Sequence, residues 1–101
     1  MHGTIVVKDS VLKEHPWVAA SLFSACSRAK DEWLATLDAR APDNASDKKY
    51  AALRKIVGDD PLPYGLAPNL ATISALEDTA FKQGLTPRRM RLDELFVDRE
   101  K

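Results

Sequence analysis

The sequence predicts a mainly α-helical chain with one N-terminal β-strand. Three observations lead there. Apolar residues recur at helical spacing, most clearly in the series Val18, Leu22, Ala25, Cys26, Ala29, Trp33 and Leu37. Prolines and glycines punctuate that pattern where helices start and stop. β-Branched apolar residues gather only at positions 4–8, "TIVVK".

The chain has 101 residues, of which 45% are apolar and 30% charged, which suits a folded chain with a modest core. Residues 1–101 are therefore expected to form a single segment. Lys plus Arg is 15 and Asp plus Glu is 15, so the zero net charge gives no footing to a dominant nucleic-acid or membrane-surface role. The single cysteine, Cys26, excludes an intrachain disulfide and a zinc site built on thiolates. No apolar run approaches the roughly 18 residues of a membrane span. "MHGTIVVKDS" lacks a basic region followed by a long apolar core, so the chain reads as cytoplasmic, or as periplasmic if a preceding portion carries a signal.

The elements follow in order. The strand over about 4–8 finds no second strand downstream. Its unpaired N–H and C=O groups expect a partner: another copy of the chain, which would make a homo-oligomer, or the rest of a longer protein. An extended arm is the plainer reading. Asp9 or Ser10 caps a helix over about 10–15, which stops because the residue before Pro16 is pushed out of the α region. Pro16 opens the helix over about 17–39, where Trp17, Phe23 and Leu34 widen the apolar stripe. "DARAPDNASD" is a loop, and Ser46 or Asp47 caps a helix over about 46–57 with Tyr50, Leu53, Ile56 and Val57 facing inward. Gly58 ends it. "DDPLPYGLAPN" is a stiff connector. A helix over about 68–83 turns Leu70, Ile73, Leu76, Ala80 and Phe81 inward and ends at Gly84. Thr86 and Pro87 are the N-cap and first turn of a last helix over about 87–96.

Candidate chemistry is sparse. His2 and His15 are not at ligand spacing and neither lies in an HxH or HExxH pattern, so no metal site is read. His15 before Pro16 reads as a helix-junction residue, and Cys26 within the apolar stripe as a small hydrophobe. Asp59 and Asp60 are adjacent loop carboxylates that point apart into water more readily than they form an acid–base pair. Lys48, Lys49, Arg54 and Lys55, and the cluster Arg88, Arg89 and Arg91, read as solvated faces. Nothing fixes a serine beside either histidine, so a Ser-His-Asp arrangement has no basis.

Three stretches taken together add a resemblance: "MHGTIVVKDSVLKEHPWVAASLFSACSRAK", "DDPLPYGLAPN" and "KQGLTPRRMRLDELF". In this order they resemble the C-terminal end of the 4,5-dihydroxyphthalate decarboxylase family. The likeness covers nearly the whole chain but only the C-terminal portion of the family's length. "DPLPYGL" and "QGLTPRR...DELF" carry it most specifically. It implies a C-terminal fragment of an α/β fold like that of the type II periplasmic solute-binding proteins, with ligand held between two lobes that close by a hinge. It also implies loss of carbon dioxide from a dihydroxylated aromatic diacid, giving protocatechuate, with no cofactor and a small aromatic carboxylate as ligand. Departure of the carboxylate leaves charge on a ring carbon, so a general acid must deliver a proton there. His2 is then the candidate acid and Tyr64 the candidate substrate contact. Arg88 and Arg89 match the motif, with an outer helix as their expected place. Most of both lobes is absent from these 101 residues, so the piece is not expected to be active alone. The competing readings are a solute-binding protein of an ABC transporter without catalysis, and a stand-alone helical interaction module.

Overall fold

A computed structural model of the chain describes residues 3–97. All of its regular structure is helical: α1 (Asp9–Glu14), α2 (Val18–Ala39), α3 (Ala45–Val57), a single 3₁₀ turn (Ala67–Asn69) running into α4 (Leu70–Lys82), and the short α5 (Leu92–Leu95).

No strand occurs among the described residues, which corrects both the expected N-terminal strand and the expected α/β fold. The reason is non-local. "TIVVK" has strand propensity, but a strand exists only as one side of a ladder, and no other described segment is extended beside it. Residues 4–7 instead form an irregular arm with Ile5 69% and Val6 88% exposed. Lys8 ends the arm as the N-cap of α1, its carbonyl accepting from Val11 N and Leu12 N. Without a sheet there is no layer for helices to flank, and the α/β architecture has no foundation.

The chain divides into two compact units, Met1–Ser21 with Tyr64–Lys101, and Leu22–Pro63; the division falls within α2. The Leu22–Pro63 unit is a helix pair with a return segment. Asn44 is the N-cap of α3: its side-chain oxygen accepts from Asp47 N at 2.8 Å, an interaction worth about 1 kcal/mol. The cap therefore falls before Ser46 and Asp47, and Asp47 is left to serve another purpose. Its Oδ1 accepts the Trp33 indole N–H at 3.0 Å, and its Oδ2 accepts from the Asn44 amide at 2.9 Å. The Trp33 ring meets Tyr50 edge-on, with centroids 5.3 Å apart. Arg54 completes the pair by donating to Asp38 Oδ1 at 2.7 Å and to the Asp59 carbonyl at 2.8 Å. Gly58, at φ 108°, turns the chain where a side chain would be strained.

In the other unit Gly84, at φ 75°, ends α4. Leu85 N donates back to the Ala80 carbonyl and Gly84 N to that of Phe81, a left-handed C-terminal turn. The last expected helix is much shorter than about 87–96. Residues 85–91 are irregular and α5 begins only at Leu92. Thr86 is consequently not a cap.

The inward faces read from periodicity are covered only in part. Ile73 is the one buried hydrophobic side chain among the described residues, at 5% exposure, while its expected companions Leu70, Leu76 and Phe81 are exposed. Ile56 and Val57 on α3 are exposed too, whereas Tyr50 and Leu53 are half-buried. On α2, Val18, Phe23, Cys26, Trp33, Leu34 and Leu37 are half-buried and Trp17 and Leu22 exposed.

Candidate functional site

Of the two site residues expected from sequence, the structure describes Tyr64. His2 lies outside the described residues. Tyr64, the first residue after the Leu22–Pro63 unit, is 42% exposed. His15 sits in the junction between α1 and α2, edge-on to Trp17 with centroids 5.7 Å apart. Cys26 is a half-buried free thiol. Among the described residues, no three His, Cys, Asp or Glu side chains converge as a metal-holding group. No helix of the described residues is long and apolar enough to cross a membrane.

The motif residues are instead spent on holding the chain's own shape. Asp60, from "DDPLPYGLAPN", turns the backbone by accepting Leu62 N on Oδ1 at 3.0 Å. Its other oxygen takes the Lys30 ammonium at 2.6 Å, and Lys30 also donates to the Leu62 carbonyl at 3.0 Å. Between them Pro61 is buried. Of the two adjacent carboxylates, Asp60 is thus a structural anchor. In the other unit, buried Asn69 closes the end of the same motif, donating from its side-chain amide to the Gly65 carbonyl at 2.8 Å.

"KQGLTPRRMRLDELF" forms the most organised polar cluster. Arg89 spans two neighbouring carboxylates of α4, at 2.9 Å from Glu77 Oε2 and 2.6 Å from Asp78 Oδ1, and its guanidinium lies 5.5 Å from the Phe81 ring centroid. Glu77 Oε1 accepts Met90 N at 2.8 Å. Arg88 grips both oxygens of Glu94, at 3.1 and 3.0 Å, and Glu94 Oε2 also accepts Arg91 N at 2.8 Å. These bonds explain why no helix forms over residues 87–91: the N–H groups of Met90 and Arg91 go to carboxylates rather than to a helical ladder. Arg88 and Arg89 accordingly lie in irregular chain before α5, not on a helix. Both guanidiniums are occupied by the chain's own acids, which does not suit them to the second carboxylate of a diacid ligand.

Sequence reasoning overlooked Glu77, Asp78 and Lys30, and took Asp47 for a helix cap without its bond to Trp33. Only one local signal pointed to them: Asp78 and Lys82 stand four apart on α4 and pair at 2.9 Å. The others act over separations of eleven to thirty residues, where spacing is silent.

The electrostatics follow the geometry. Hydrogen bonds from Lys82 and then Arg89 hold the Asp78 carboxyl below the ordinary carboxylate range, against a smaller opposing effect of burial. The hydrogen bond from Arg88, then that from Arg91 N, does the same for Glu94. Both acids bind protons less readily when folded, so their contribution is complete above the ordinary carboxylate range, about pH 4, and is lost as pH falls through the lower folded values. In an amide NMR titration the Arg91 N–H should therefore shift with a midpoint below the ordinary glutamate value. Movement centred nearer neutrality would contradict this assignment.

No family model matches the chain, and no curated protein or solved structure matches it.

Proposed function

We propose that the chain is a helical module related to the 4,5-dihydroxyphthalate decarboxylases that acts while bound to a protein partner, not as a free enzyme. The observation that carries this reading is the set of large apolar side chains left exposed. One hydrophobic residue is buried among the described residues, while Leu76, Phe81 and Leu85 on and after α4, and Ile56 and Val57 on α3, stand in water. Apolar surface removed from water contributes about 25 cal/mol per Å², so side chains left out on this scale favour association. The relation to the decarboxylases rests on the three motifs. Their chemistry, proton delivery to a ring carbon as carbon dioxide leaves, is assigned to the assembled protein, with His2 as acid and Tyr64 as substrate contact.

The test uses the isolated chain with 4,5-dihydroxyphthalate. Expected are no carbon dioxide release, no saturable heat of ligand binding, and strong fluorescence of a hydrophobic dye such as ANS. Turnover by the chain alone would overturn the reading. Saturable binding without turnover would favour a solute-binding role instead.

A further inference from the structure

We propose that residues 86–96 form a strap latched onto α4 through Arg89 and Glu77, and that this strap is poised to open. The ties are few and sit at one place. Arg89 reaches Glu77 and Asp78, and Met90 N reaches Glu77. The Arg89 side chain is 55% exposed and that of Asp78 38%; only Glu77, at 11%, is shielded from water. Exposed ion pairs of this kind are weak and yield to salt. The bonds of Glu94 to Arg88 and to Arg91 N tie the strap to itself and not to α4, and the four residues of α5 are too few to sustain a helix unaided.

Two further features lower the barrier to release. The Thr86 hydroxyl, at the strap's start, is buried without a hydrogen-bond partner, so the latched state carries an unpaired polar group that opening would hydrate. Asp78 also has a second cation: Lys82 lies 2.9 Å from its other oxygen and stays when Arg89 leaves. Only Glu77 loses its partners outright. Opening would add Met90, Leu92 and Phe96, half-buried when the strap is shut, to the apolar surface offered for docking. That use of the strap rests on the partner-docking reading above; the latch does not.

Amide hydrogen exchange on the whole chain at neutral pH separates the two. With salt raised from about 0.02 to about 1 M, the Met90 amide should exchange at least about tenfold faster while amides within α4 keep their rates. Glu77→Ala should give the fast rate at both salt concentrations. Thr86→Val, which replaces the unpaired hydroxyl with a methyl group, should slow exchange at Met90. The latch is overturned if the Met90 amide ignores both salt and Glu77→Ala, if it exchanges in step with α4, or if Thr86→Val speeds it. None of these readouts involves a partner, so the docking reading could fail while the latch stands.

Discussion

Trp33→Ala is expected to destabilise the Leu22–Pro63 unit by about 3 kcal/mol, the low end for removing a large aromatic side chain because the ring is only half-buried. Trp33 makes two contacts from α2 to α3, the edge-on meeting with Tyr50 and the indole N–H given to Asp47. Trp33→Phe separates them. It keeps most of the ring and loses only the donor, and Asp47 keeps its other bond from the Asn44 amide. Its expected loss is about 1 kcal/mol, a single hydrogen bond. Urea denaturation followed by far-ultraviolet circular dichroism measures both. Equal losses for the two variants would show that the indole N–H, and not the ring, carries the contact.

Lys30→Ala comes next, with an expected loss of about 2 kcal/mol. The Lys30 side chain is 9% exposed and its partner Asp60 39%, so the value falls short of that for a fully buried pair because water still reaches the carboxylate. The substitution also strips the Leu62 carbonyl of a donor. Lys30→Met retains the apolar stem and should recover part of the loss through packing alone. A protease that cuts in the 59–63 segment gives the second readout. Its rate should rise in both variants, because Lys30 is what ties that segment to α2. An unchanged cutting rate with lowered stability would mean that Lys30 serves packing and not the turn.

What could be read in advance follows from how far each interaction reaches along the chain. Periodicity, Pro16 and Gly84 act within a turn or two, and α2, α3 and α4 lie where those signals place helices. Which face is covered is not a local property. Leu76 repeats at the same spacing as Ile73, yet one is exposed and the other buried. The same limit explains the arm: residues 4–8 carry strand propensity, but pairing needs a second segment, and propensity cannot supply one. Thr86 and Pro87 form a sound local start signal, overridden by Glu77, nine residues earlier than Thr86 in the chain and invisible to any window centred on the cap. For the site, two of the three quoted stretches hold polar clusters, one around Asp60 and one around Arg88, Arg89 and Glu94. They did not disclose that the clusters are structural, since an arginine written in sequence looks the same whether it faces a ligand or an acid of its own chain.

The two tryptophans fall one to each compact unit, Trp17 at 63% exposure in one and Trp33, hydrogen-bonded and half-buried, in the other. The protein therefore carries its own pair of optical probes. A water-soluble quencher such as iodide reaches the first indole far more readily than the second, so the quenched and unquenched parts of the emission report on the two units separately. Loss of order in either one can be timed without attaching a label.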